Sequence, residues 1–327
     1  MVERGTRAER TGIVADDVTM TFDGTNVVDG LNLTIEPGAI VGLIGPSGCG
    51  KTTTVRMLTG LLTPSSGTAT IDGVDASTLS SRQRSAIGYL PQSPALFGDL
   101  SVRENLNFHA SMYGLPLRRR KRLRELLEWV ELTDDRKKRV RDTSGGMQRR
   151  LALAATFVHD PTYLFLDEPT AGIDPILREK FWERFRALGA EGRTLLVTTQ
   201  YVGEASYCDM VGLLSDGELL MFDTPANLRR AAFDGEVIDV EVRQHATPEQ
   251  IARLSDSPAV IGDVERLDAV TLRIVVRDAD EALSDMQQRL DAVGLELVEA
   301  TEHVVDYDEA FVRVVERHRN SLVGAAT

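Results

Sequence analysis

Residues 39–62, AIVGLIGPSGCGKTTTVRMLTGLL, pass from an apolar run through a glycine-rich turn into a helical pattern. The run 39–44 is apolar on both faces, so as a strand it must be covered on both sides, as in a parallel sheet packed between helices. Directly after it, Gly45-Pro46-Ser47-Gly48-Cys49-Gly50-Lys51-Thr52-Thr53 fits G-x-x-x-x-G-K-[ST] in the strand-to-helix setting that gives this motif its meaning. Glycines let backbone N–H groups turn inward around β- and γ-phosphates, and the following helix adds its positive end to the same anion. Lys51 supplies a point charge for the phosphate oxygens, and the Thr52 hydroxyl is placed to ligate Mg²⁺. Glycine-rich loops also serve as plain turns, but the full match in this context selects the phosphate reading. Val55, Leu58, Leu61 and Leu62 then predict one buried helical face.

Working outward, two more strands of the same doubly buried kind are expected at YLFLD, 163–167, and TLLVTT, 194–199, with helical periodicity over 176–188 between them. Strand, helix, strand in this order argues for α/β architecture. The first of these strands ends in Asp167-Glu168-Pro169, at the edge of a parallel sheet where ligands bind. Neighbouring strand residues point to opposite sides, so the two acids can do different work. Asp167 is expected in the Mg²⁺ shell and Glu168 as the base that activates a water for in-line attack. Alone, such a pair reads as a helix cap and turn. Together with the loop at 45–52 it reads as chemistry.

The segments DVTMTF and VVDGLNLTI predict strands before the loop, and VGLLS and ELLMF flank an Asp216-Gly217 hairpin after it. Residues 101–158 lack strand patterning and carry leucines at helical spacing, which predicts an inserted helical subdomain, about 93–158. From about residue 236 the pattern becomes VIDVEVR (strand), 247–254 (helix), AVIGDVERL (strand), VTLRIVV (strand), 279–293 (helix), LELVEA (strand) and a last helix from about Asp308. Thr247-Pro248-Glu249-Gln250 is a capping-box start, and Leu283, Met286, Leu290 and Val293 form one stripe that Gly294 is placed to end. The order resembles a split βαβ, ferredoxin-like unit.

Composition bounds the rest. The 327 residues hold 37 Lys+Arg against 50 Asp+Glu, a net charge of −13, with 42% hydrophobic residues. That is enough to build a packed core and unlike a disordered chain. No apolar run nears the roughly 18 residues that cross a bilayer, the N-terminus carries no secretory pattern, and two cysteines, Cys49 and Cys208, make no disulfide framework. Residues 233–327 hold 21 acidic and 9 basic side chains, all nine of them arginine, for a net of −12. This tail is a separate compositional unit with electrostatics against polyanions, so no nucleic-acid partner is expected.

Taken together with Ser144-Gly145-Gly146, these motifs make residues 12–232 resemble the nucleotide-binding subunit of an ATP-binding-cassette (ABC) transporter. The resemblance implies a P-loop NTPase fold with a mostly parallel core sheet, an antiparallel β subdomain and a helical subdomain, spanning 1–232, with an accessory α+β domain at 233–327. It implies ATP and Mg²⁺ as ligands and ATP hydrolysis as the activity. Phe22 matches the aromatic that stacks on adenine, and Gln92 in YLPQ matches the glutamine tying the Mg²⁺ and water site to the helical subdomain. TSGGM at 143–147 matches the signature, and Asp174 in AGIDP the loop after the acidic pair. Ser144, Gly145 and Gly146 also open the helix GMQRRLALAATFV, a second anion site at a helix N-terminus. In the family two cassettes pair head to tail, so one copy of each motif implies a homodimer or a homologous partner. The resemblance further implies a transmembrane permease and a cytoplasmic, membrane-peripheral location.

Three positions depart from the family's commonest pattern: Thr143 for Leu, Met147 for Gln, and Gln200 where a switch histidine is usual. An amide can donate to the γ-phosphate but cannot gain charge, which leaves Glu168 as the base. TSGGMQRR, TAGIDP and TTQYVGEA resemble the drug- and antibiotic-resistance exporter branch. The rival reading is a soluble ATP-gated switch acting on DNA or the ribosome. Such family members usually carry two cassettes or coiled-coil insertions, and neither is seen here.

The basic runs RRRKRLR (118–124) and RKKRVR (136–141) are expected as solvated faces, with anionic lipid or an acidic permease loop as the sharper alternative. Cys49, beside Lys51 and a helix start, is expected to favour its thiolate. The five histidines show no metal-ligand spacing and are expected as structural or surface residues.

Overall fold

The computed structural model describes residues 10–93, 95–258, 260–261 and 264–325. Contacts divide the chain into a first unit ending at Phe222 and a second beginning at Asp223.

The first unit runs β1 (Ile13–Phe22), β2 (Thr25–Ile35), β3 (Ile40–Ile44), α1 (Lys51–Leu58), β4 (Ser66–Ile71), β5 (Val74–Asp75), α2 (Ser81–Arg84) and β6 (Ile87–Leu90). It continues with α3 (Val102–Met112), α4 (Arg120–Trp129), α5 (Gly145–Thr156), β7 (Tyr163–Asp167), α6 (Pro175–Ala190), β8 (Thr194–Thr199), β9 (Met210–Ser215) and β10 (Glu218–Asp223). An antiparallel sheet of order β2-β1-β4-β5 stands beside a six-stranded sheet of order β10-β9-β3-β8-β7-β6, whose pairs from β9 to β6 are parallel. Every residue of β3, β7 and β8 is buried, as strands covered on both faces require. The register Ile44↔Thr199 and Asp167↔Thr198 levels the C-terminal ends of these three strands. The glycine-rich loop, the acidic pair and Gln200 therefore leave the sheet side by side. The expected helical subdomain comprises α3, α4 and α5, with α5 packed on α3, α4 and β6.

One helix departs from its periodicity. α1 stops at Leu58 rather than running through Leu62, and Leu61 is 63% exposed. The cause is backbone proximity at Gly60, which has φ +70°, and a Cβ there would lie 1.9 Å from the Ala76 carbonyl oxygen. Only glycine turns the chain at that point.

The second unit runs α7 (Pro225–Phe233), β11 (Glu236–Val242), α8 (Pro248–Ser255), β12 (Glu265–Arg266), β13 (Thr271–Val276), α9 (Ala279–Ala292), β14 (Leu297–Glu302) and α10 (Tyr307–Ala325). Its antiparallel sheet has the order β12-β13-β11-β14 over a core that includes Ile238, Val240, Leu272, Ile274, Met286 and Leu290. α8 starts on the Thr247–Gln250 capping box, and Gly294, at φ +76°, follows the end of α9. The strand expected over 259–267 is only two residues long, Glu265–Arg266, with a lone bridge at Val260. Ala259, Gly262 and Asp263 lie outside the described residues. The break between units falls ten residues before the expected border at 232/233. α7 packs on α10, through Arg317 hydrogen bonds to the carbonyls of Ala231 (2.9 Å) and Ala232 (3.1 Å).

Candidate functional site

The loop after β3 curls tightly between two glycines, Gly45 and Gly50, that are pressed by neighbouring backbone. At Gly45 a Cβ would meet the Leu214 carbonyl oxygen of β9 at 2.1 Å. Gly50 is the N-cap of α1 at φ 105° and offers no side chain to cap it. The first-turn N–H groups of α1 thus have no side-chain acceptor at their cap, the electrostatic requirement for holding an anion. Pro46, Ser47 and Gly48 form the exposed tip, and Thr53 is half-buried on the first turn. Lys51 is buried within the curl, its Nζ donating to the carbonyls of Gly45 (2.7 Å) and Pro46 (2.8 Å).

Asp167, at the end of β7, is 0% exposed. Its Oδ2 accepts from the Thr52 hydroxyl at 2.8 Å and its Oδ1 from the Thr198 hydroxyl at 2.5 Å. The first contact joins the loop's helix to the acidic strand end, and the second joins that strand to β8. Glu168 follows in the left-handed region at φ 52°, a strained conformation for a residue with a Cβ. Its N–H is held by Thr198, both by the carbonyl at 3.1 Å and by Oγ1 at 3.0 Å. The two acids diverge as expected, but because β7 ends at Asp167 it is this turn and not strand alternation that separates them. Asp167 faces the loop, while Glu168 Oε1 accepts from Gln200 Nε2 at 2.7 Å. Glu168, Thr170, Ala171, Thr199, Gln200 and Tyr201 line a cleft there.

The other expected residues sit on elements of their own. Phe22 ends β1 and is half exposed. Gln92 follows β6 with its side chain exposed, and its main-chain carbonyl accepts from Arg149 at 2.6 Å. Ser144 is the N-cap of α5, accepting from Met147 N–H at 3.3 Å, and beside it a Cβ on Gly145 would meet nothing within 4 Å. Asp174 is the N-cap of α6, accepting from Leu177 N–H at 3.0 Å with Pro175 next in line. In this position Asp174 starts α6.

Two expectations are corrected. Cys49 is buried, and burial pushes its thiol above the ordinary range, outweighing the nearby Lys51 charge that pulls it down. It is held as the thiol, not the thiolate. The basic run 118–124 is also not uniformly solvated. Arg119 is only 7% exposed and is bound to Asn107, Ser111 and Leu115, while Lys121 and Arg124 pair with Glu125 and Glu128 four residues on.

Two residues at the site escaped the sequence reading. Thr198 was hidden in a strand whose other members are apolar or β-branched, although a hydroxyl level with an acidic strand end was a readable signal. Arg149 carries no such signal, because only the packing of α5 brings it to the acidic turn.

The chain also matches known proteins. Residues 28–171 match the family model described as ABC transporter. The chain is 36% identical over 306 residues to the daunorubicin resistance ATP-binding protein DrrA3 of Streptomyces coeruleorubidus, covering 93% of this chain and 96% of that protein. It is 37% identical over 241 residues to the probable multidrug ABC transporter ATP-binding protein YbhF of Escherichia coli (strain K12), covering 73% of this chain. The chain spans only 42% of that relative's length. Among solved structures, it superposes with a TM-score of 0.61 at 27% identity on the dimeric ATP-binding cassette MJ0796 bound to ADP and Pi, covering 65% of this chain and 98% of that one.

Proposed function

The chain belongs to the family of ABC transporter ATP-binding proteins, and from that premise we propose that it hydrolyses ATP to power a separate membrane permease. The observation that carries this reading is the Thr52 to Asp167 hydrogen bond, which brings the phosphate loop and the acidic strand end into one site.

In this reading Lys51 and the backbone N–H groups of the loop 45–53, to which Pro46 contributes none, bind the β- and γ-phosphates, and Phe22 stacks on the base. Asp167 presents hard carboxylate oxygens already in contact with two hydroxyls, a donor set that suits Mg²⁺. Thr52, Asp167 and Gln92 would hold that ion, which would neutralise charge on the β- and γ-oxygens. Glu168 takes the proton of a water whose oxygen attacks the γ-phosphorus as the bond to the β-phosphate oxygen breaks. Gln200 fixes the Glu168 carboxylate through its amide and donates to phosphate without changing charge. Ser144, Gly145 and Gly146 at the start of α5 close over the nucleotide of a second copy or a homologous subunit, where the open side of Gly145 admits close approach. Asp174 lies in the loop that meets that partner.

ATP closes this dimer only to the extent that it binds the closed form more tightly, and hydrolysis releases it. The relatives' names, which speak of multidrug transport and daunorubicin resistance, support export of a drug, antibiotic or other hydrophobic compound rather than a soluble switch on DNA or the ribosome. This reading sets the chain at the cytoplasmic face of the membrane. The β-α-β-β-α-β order and the β12-β13-β11-β14 sheet of the second unit support a ferredoxin-like accessory domain that regulates or stabilises the dimer.

Glu168→Gln is the test. It should keep ATP binding, stop turnover and accumulate ATP-bound dimers in size-exclusion chromatography. Hydrolysis at the parent rate would remove Glu168 from the role of base.

A further inference from the structure

Arg149 lies on the second turn of α5, and its guanidinium leaves that helix to end among backbone carbonyls. One terminal nitrogen donates to the carbonyls of Pro91 (2.7 Å) and Gln92 (2.6 Å). The other donates to the carbonyls of Asp167 and Glu168, the latter at 2.7 Å. Three segments distant in sequence thus meet on one planar fork: the signature helix, the start of the Gln92 loop and the acidic turn. The group is 7% exposed. Burial pulls against its charge, and Asp167 and Glu168 are the foremost groups that restore it. A buried cation needs partners for its donors, and these four carbonyls supply them for both terminal nitrogens, while the buried Nε makes no hydrogen bond.

The decisive detail is at Glu168. Its left-handed backbone is gripped from both sides, with the N–H on Thr198 and the C=O on Arg149. Such a conformation is strained and persists only where the surroundings over-determine it. The direction of the Glu168 side chain follows from that backbone. So does its 2.7 Å contact with Gln200.

We propose that Arg149 is a positioning residue for hydrolysis, locking the Glu168 turn and the Gln92 loop to the signature helix. The assignment rests on the reading of Glu168 as the base. None of the four hydrogen bonds of Arg149 goes to the phosphate loop, so its loss should act on the chemical step more than on nucleotide binding. A displacement of about 1 Å at a catalytic group is enough to lower turnover by as much as about a hundredfold.

The experiment compares Arg149→Gln and Arg149→Lys with Arg119→Gln in the full chain. Arg119 is an equally buried arginine, also 7% exposed and bound to carbonyls, but within the helical subdomain. Thermal unfolding gives the stability loss of each variant, and steady-state ATPase gives kcat and KM. The expected result for both Arg149 variants is a kcat lowered about tenfold or more, with KM for ATP within about twofold of the parent. Arg119→Gln should lose stability but keep the parent kcat. In the Glu168→Gln background, Arg149→Gln should lower the residual rate no further, because both act through one group.

Parent-like kcat in Arg149→Lys and Arg149→Gln overturns the proposal, as does a loss that multiplies with Glu168→Gln. A fall in kcat matched by Arg119→Gln at equal destabilisation, or failure of both Arg149 variants to fold, assigns Arg149 to the scaffold instead. The reading of Glu168 fails separately, when Glu168→Gln alone hydrolyses ATP at the parent rate.

Discussion

Gln200 fixes the Glu168 carboxylate from the end of β8 with a group that does not titrate near neutrality. Turnover that depends on this amide has no imidazole limb in its pH profile. Gln200→His should introduce one, with an inflection near about pH 6.5 in kcat that the parent lacks. Identical profiles for parent and variant would place the titrating group elsewhere. Cys49 yields a second prediction with a definite sign. Because burial raises its thiol's pKa, the thiolate fraction at any pH is lower in the folded chain than in the unfolded one. Iodoacetamide at pH 8 should therefore label Cys49 more slowly in the folded protein than in urea, as read by peptide mass spectrometry. Equal rates would show that the curl of the loop leaves the sulfur open.

Caps and cross-strand pairs fasten several elements of this chain. Ser101 and Glu104 form a capping box on α3, Thr247 and Gln250 another on α8, and Asp174 and Ser144 cap α6 and α5. In the second unit, β11 and β13 are joined across their register by Asp239 and Arg273, a two-point ion pair at 2.8 and 2.9 Å with His303 at its side. The Arg273 hydrogen bonds hold the Asp239 carboxyl below its usual range. Its contribution is complete above the ordinary carboxylate value near about 3.9 and fades as the pH falls through the depressed one. Asp239→Asn should destabilise the full chain at pH 7 by about 1–3 kcal/mol in urea unfolding, with the gap narrowing toward pH 3. A gap that is constant with pH would assign the loss to packing.

For the whole molecule, the division after Phe222 decides where the chain can be cut. Leu228, Ala232 and Phe233 are buried on α7, and Arg229 and Arg313 stack on Tyr307 and Phe233 where α7 meets α10. A chain ending at residue 222 should remain monodisperse in size-exclusion chromatography, whereas one ending at 232 keeps most of α7 without α10 and should aggregate. Identical behaviour would mean that α7 needs no cover from α10. No helix among the described residues is long and apolar enough to cross a membrane. An adjacent reading frame encoding about six apolar spans of roughly 20 residues would supply the permease that the proposed function requires.

The sequence by itself determined the buried parallel strands, the phosphate loop, the acidic pair and the helical insertion. These depend on patterns local in the chain: apolar runs of strand length, a fixed motif spacing and side chains that cap their own helices. Tertiary structure alone decided what depends on approach between distant segments. The Ala76 carbonyl over Gly60 stops α1, burial overrides the charge beside Cys49, and α7 joins the second unit through α10. The level ends of β3, β7 and β8 bring Thr198 onto Asp167, and α5 delivers Arg149 to the back of the acidic turn. No residue's near neighbours in the chain encode these contacts, because each is fixed by which elements pack together and at what register.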